Sequence, residues 1–265
     1  MGAKEEHVFM GARDLVFDVG DRVRTCGRFV TGPDGDWLDV ARVHDLTFKP
    51  SGWKSHLSIR LIGADVEAAF ADAATNRAPG FVSVVGTWRG DIIEVEEQST
   101  DIPALEPLAR WTDPPCPPPR GGWRRDVVTF ELDFDLGDLQ ASGAIVDQVI
   151  FRPSPDQEVL VVAAGDVDQV IRRLSPKLPD QLCVVPSRFT RAQIDELYDV
   201  LHAHWQAWRL ESFGTGADAQ AQPFVMVEPF RVTAEMAEWA DTLPPGLLRL
   251  RPAISPAQQA GPAHR

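Results

Sequence analysis

The sequence predicts an α+β fold, a small five-stranded β-barrel followed by a duplicated β-α-β domain. Three observations carry this expectation. The first half alternates apolar and polar residues over several short runs. The second half carries similar segments at an offset of 65 residues. Between them lies a proline-packed seam, Thr112-Asp-Pro-Pro-Cys-Pro-Pro-Pro-Arg-Gly-Gly-Trp123. Its five prolines remove five backbone donors and fix φ near the polyproline value, so neither sheet nor helix can run through it. The expected division is therefore 1–111, a linker 112–123, 124–255, and a disordered tail 256–265.

In the first half, Val23, Thr25, Gly27 and Phe29 alternate with Arg24, Cys26 and Arg28, the period of a strand. The turn cluster Thr31-Gly-Pro-Asp-Gly35 leads to a second strand, Trp37–Val43. A third, His56–Ile62, points Leu57, Ile59 and Leu61 one way and His56, Ser58 and Arg60 the other. Ala64–Ala74 reads as a short helix, with Val66, Ala69, Phe70 and Ala73 on one face. Phe81–Thr87 and Ile92–Gln98 form a last pair of strands around Arg89-Gly90-Asp91. The order β-β-β-α-β-β is that of the OB-fold, which binds ligands across its second and third strands. On that analogy the candidate binding residues are Trp53, Lys54, Arg60, Trp88 and Arg89, with Trp37 beside them. Aromatic rings and cations together could stack on bases or sugars. The competing reading packs the tryptophans into the barrel and leaves the cations solvated.

In the second half, Val128–Phe134 alternates and reads as a strand with an acidic outer face. Val159–Val185 and Phe224–Leu250 each read as strand, amphipathic helix, Leu-Pro turn and strand. Between these copies, Thr190 and Gln193 form a capping box for a helix over Arg191–Trp208. Ile194, Leu197, Tyr198, Leu201, Trp205 and Trp208 give it a continuous apolar stripe. His202 and His204 are two apart and face different directions, which suits packing better than joint metal ligation. Gly214-Thr-Gly-Ala-Asp218 reads as a loop.

Composition narrows the function. Apolar residues are 44% and charged residues 25%, a globular balance. The net charge is −13, and both halves are acidic: 12 Lys and Arg against 18 Asp and Glu before the seam, 13 against 20 after it. Neither half has the overall basic footprint of a nucleic-acid binder. Cys26, Cys116 and Cys183 are odd in number and far apart, so no disulfide framework or zinc spacing is expected. Cys183, in Leu-Cys-Val-Val, reads as a buried structural thiol. The stretch Asp133–Asp138 lacks the acidic residues a calcium loop needs at its later positions. No nucleophile elbow, phosphate loop or His-Glu-x-x-His motif is present. No run nears ~18 apolar residues, and no membrane partner is expected. The expected location is the cytoplasm.

With these residues laid out, the chain resembles a family of bacterial proteins joining a small β domain to a repeated β-α-β domain. The matching pieces are Gly86-Thr-Trp-Arg89 with Gln98, Pro114-Pro-Cys-Pro117 with Gly121-Gly-Trp123, Val146-Asp-Gln148, and Leu182-Cys-Val184 followed by Thr190. The resemblance carries no activity and transfers no functional residue.

The function expected is therefore a non-enzymatic cytoplasmic binding or adaptor protein, with a protein or small-molecule partner and no cofactor or metal. The alternatives are single-stranded nucleic-acid binding by the OB-like half and a carboxylate-dependent enzyme. The proline run is expected to act as a stiff spacer of roughly 19 Å.

Overall fold

The alternating runs of the first half become β1 (Arg22–Gly32), β2 (Gly35–Asp39), β3 (Ser58–Ile62), α1 (Val66–Phe70), β4 (Phe81–Trp88) and β5 (Ile92–Ser99). The structure, a computed structural model, describes residues 11–40, 56–70, 80–101, 111–126 and 133–257. The ends of the predicted second strand and first helix lie outside these residues.

The five strands close on themselves. β1 pairs with β2, and β2 with β3, antiparallel. β3 runs parallel to β5, β5 pairs antiparallel with β4, and β4 returns antiparallel to β1. β1 is long enough to serve both neighbours: Arg22–Arg28 face β4, and Arg28–Gly32 face β2. Two glycines permit the closure. A Cβ on Gly27 would sit 2.4 Å from the Asp39 carbonyl oxygen, and one on Gly86 would sit 2.1 Å from that of Glu94. Gly86 also stands where the β4–β5 register shifts, a bulge that sharpens the bend.

Inside the ring lie Val23, Phe29, Leu38, Ile59, Leu61, Val82, Val84, Trp88 and Ile93. Their alternation in sequence is the alternation of inward and outward positions on each strand. Phe17, Phe230 and Ile254 complete this core from outside the five strands.

The second half contains α2 (Asp133–Ala141), β6 (Ile145–Ser154), β7 (Gln157–Ala164), α3 (Val167–Leu174) and β8 (Leu182–Pro186). Then come α4 (Arg191–His204), β9 (Leu210–Ala217), β10 (Pro223–Pro229), α5 (Ala234–Ala240), β11 (Leu248–Leu250) and β12 (Ile254–Pro256). β6 is antiparallel to β7, and β7 parallel to β8. β9 is antiparallel to β10, and β10 parallel to β11. The helix of each unit is capped in the same manner. Asp166 accepts from the Gln169 amide at the start of α3, and Thr233 accepts from the Met236 amide at the start of α5. α4 begins with the predicted box, in which Thr190 and Gln193 exchange side-chain and backbone hydrogen bonds.

Several expectations need correction. The strand predicted over Val128–Phe134 falls mostly outside the described residues, and its last two residues open α2. Leu136 and Leu139, three apart, are buried residues of that helix. The predicted loop Gly214–Asp218 is mostly strand β9. Its glycines hide the pattern, and Gly216 leaves room for the cross-strand Phe224 ring, which would lie 2.8 Å from a Cβ. The helix expected to reach Trp208 ends at His204, and Arg209 takes φ +48° to turn the chain into β9. Pro256, assigned to the tail, pairs with Val23.

The largest correction concerns the cysteines. Cys116 and Cys183 form a disulfide across 67 residues of sequence. Cys183 is thus not a free thiol. The seam, expected as a stiff spacer, packs on β6, β7 and β8, with Trp111, Cys116 and Trp123 against Phe151, Val159, Val161, Cys183 and Ala221.

Candidate functional site

Three of the residues expected to bind on the ring, Arg60, Trp88 and Arg89, are among those described. Trp53 and Lys54 lie outside the described residues. Arg60 is exposed on β3, opposite Trp37 of β2. Trp88 is only 2% exposed and lines the ring interior, edge-on to Phe17 at 5.4 Å. Its indole is core filling, and no ligand can stack on it there. Arg89 sits at the β4–β5 turn in an ion pair with Glu94 at 2.8 Å. Nearby, Arg22 pairs with Glu96 and Glu97 on β5. The hydroxyl of Thr87 and then Arg22 hold the Glu96 carboxyl below its ordinary range. The acidic stripe of β5 is therefore matched by protein cations. These exposed pairs add little stability, but they occupy the arginines a phosphate would need.

A different feature stands out on the second half. An open, mostly apolar cavity of about 660 Å³ runs beside β11. Its floor and walls are Leu248 and Leu250 of β11, Ala240 at the end of α5, and Leu243 to Gly246 between them. Gly11, Ala12 and Leu15 close the far side. Each wall has a local cause. The Thr233 cap starts α5, the Pro244-Pro245 pair stops the chain from continuing as helix, and Gly246 turns at φ +86°. The Leu247 amide then donates to the Pro244 carbonyl, and β11 begins. Across the cavity, Ala12–Leu15 forms a 3-10 turn, and Arg13 is paired with Asp241.

β11 is bonded on one side by β10. The Val225 amide donates to Leu247, and the Arg251 amide donates to Val227. In a parallel ladder alternate residues bond the same neighbour. The peptide groups of Leu248 and Leu250 therefore point away from β10, and both residues line the cavity. Sequence reading identified the Leu-Pro turn and the strand but not the cavity. Its opposite wall comes from more than 220 residues earlier, and no local pattern announces that approach.

Two other places bear on chemistry. Asp147 on β6 is pushed up to about 6 by burial, which outweighs the Gln148 amide and the charge of Arg191. His202 and His204 are packed against aromatic rings: His202 lies 4.9 Å from Phe213, and His204 stacks on Trp208 at 4.4 Å. Among the described residues, no group of three or more His, Cys, Asp or Glu side chains is placed to hold a metal ion. No helix among them is long and apolar enough to cross a membrane.

No family model, curated protein or solved structure matches this chain.

Proposed function

We propose that this chain is a non-enzymatic binding protein that takes an extended polypeptide segment along β11. The observation that carries this reading is the coincidence of two features on one strand. β11 directs the peptide groups of Leu248 and Leu250 away from β10, and the same two residues line a mostly apolar cavity of about 660 Å³. An added strand would supply backbone partners that β11 lacks among the described residues, and its alternate side chains would enter the cavity. A helix or a compact ligand would fill the space but leave the strand's donors and acceptors unmatched. That mismatch costs free energy wherever water is excluded.

The test is selection of random displayed peptides on the full-length protein, with Leu248→Pro as counter-target. Proline removes the outward amide donor of β11. Selected peptides should alternate apolar residues and bind Leu248→Pro at least ten-fold more weakly. Peptides that bind both proteins equally would overturn the reading.

The ring order β1-β2-β3-β5-β4, with β3 parallel to β5, supports an OB-like barrel. The shared pairing order of β6-β7-β8 and β9-β10-β11 supports duplication of one unit. The cytoplasm remains the proposed location, and a disulfide there would be of the transient, redox-responsive kind. Arg60 opposite Trp37 favours a second reading, single-stranded nucleic-acid binding on the outer face of β2 and β3. Oligonucleotides should then quench tryptophan emission at low salt and lose that effect as salt rises; no quenching at low salt removes this reading.

A further inference from the structure

The seam is fastened in an unusual way. Its two ends are held by hydrogen bonds. The Trp111 indole donates to the Ala217 carbonyl at 3.2 Å, and the Arg152 amide donates to the Trp111 carbonyl at 2.8 Å. At the other end, the Gln157 amide side chain donates to the Trp123 carbonyl at 2.8 Å, and the Arg124 amide donates to Asp180 at 3.0 Å. Between the tryptophans, residues 112–122 make no backbone–backbone hydrogen bond to another described segment; the Gly122 amide returns to Pro119. Prolines have no amide to offer. The covalent tie across this span is Cys116–Cys183.

Beneath the seam is apolar surface: Phe151, Val159, Val161 and Ala221. Trp111 stacks on Phe151 with ring centroids 6.3 Å apart. The two residues differ in exposure: Cys183 is 1% exposed, whereas Cys116 is half-buried.

We propose that Cys116–Cys183 is a redox latch: its reduction frees the seam between the two tryptophan anchors and uncovers the apolar face of β6 and β7. The reductant is a dithiol. One thiolate attacks the sulfur of Cys116, the more exposed of the two residues, and expels Cys183 as a thiolate, which takes up a proton. The second thiol then closes on the first sulfur and releases Cys116. Two electrons and two protons pass to the protein, and the dithiol leaves as its cyclic disulfide. The latch lies on the β6–β8 sheet, away from the β11 cavity, and does not depend on the peptide reading.

The test uses the full-length protein with and without dithiothreitol. Maleimide labelling followed by intact-mass measurement in denaturant counts thiols. One is expected at Cys26 before reduction, and three after it. Hydrogen exchange at the Arg152 and Arg124 amides, both bonded through the ends of the seam, should accelerate at least ten-fold on reduction. Amides of β10 should not change. Cys116→Ser should show the fast exchange without reductant, and Cys26→Ser should not. Three labelled thiols before reduction would overturn the proposal. So would a broken bond with unchanged exchange, or acceleration at every amide together, which would signify global unfolding.

Discussion

Replacing Asp147 with asparagine should stabilise this protein, and only at neutral pH. The carboxyl lies on β6, where burial raises its pKa from 3.8 to about 6 despite the Gln148 amide and the positive Arg191. Below about pH 4 the group is protonated in the folded and the unfolded chain, and its contribution is most favourable. Between about pH 4 and 6 the unfolded chain ionises first, so that contribution is lost as pH rises. Above about pH 6 both states are ionised, and the folded state bears the whole cost of a buried charge. The difference between 3.8 and about 6 corresponds to about 3 kcal/mol. Asparagine keeps an acceptor for the Gln148 amide but gives up the attraction to Arg191, so a gain of about 1–3 kcal/mol is expected at pH 7.5. Urea titrations at pH 7.5 and pH 4 measure it, the slope reporting whether the unfolded state has changed. The gain should shrink to near zero at pH 4. A variant less stable than the parent at pH 7.5, or equally favoured at both pH values, would refute the reasoning.

Two further substitutions probe the ring. Trp88→Ala removes a side chain enclosed by the strands and should cost about 3–5 kcal/mol in denaturant unfolding; a ligand platform on the surface would tolerate the change with little loss. Gly86→Ala drives a Cβ into the Glu94 carbonyl and should cost more than about 2 kcal/mol. In the same experiment Gly90→Ala, which meets no atom within 4 Å but sits at φ +94°, should cost only about 1 kcal/mol.

How much was legible follows from where each signal resides. β1, β3, β4 and β5 repeat every two residues, and that period survives in sequence because one face of each strand is buried. The α4 cap is equally local: Thr190 and Gln193 stand three apart and satisfy each other's backbone amides. β9 was missed because Gly214 and Gly216 replace the side chains that would mark alternation, and Phe224 of the neighbouring strand supplies the bulk instead. The disulfide joins residues 67 apart, and three scattered cysteines cannot reveal which two will meet. Trp88 was a candidate by analogy with OB-fold binding faces, with burial in the barrel as the competing reading; the ring's closure places its indole inside. The β11 cavity depends on Gly11–Leu15 arriving from the opposite end of the chain.

That arrival is part of a reciprocal exchange that gives the proline seam a different meaning. Leu15 precedes the ring in sequence, yet it is buried among Val225, Val227, Val232 and Met236 of the second half. Val16 forms a bridge with Val232. In return, Phe230 and Ile254 enter the ring's core, β12 extends the sheet beside β1, and the Thr25 hydroxyl donates to the Ala253 carbonyl at 2.9 Å. Each half thus borrows buried side chains from the other. Fully burying an aliphatic or aromatic side chain is worth about 1.5–3 kcal/mol. Phe230 and Ile254 alone therefore contribute a sizeable part of the 5–15 kcal/mol that about describes a whole domain's stability. The exchange involves Leu15, Val16, Phe230 and Ile254, and so ties the ring to the second half by a route that does not pass through the seam.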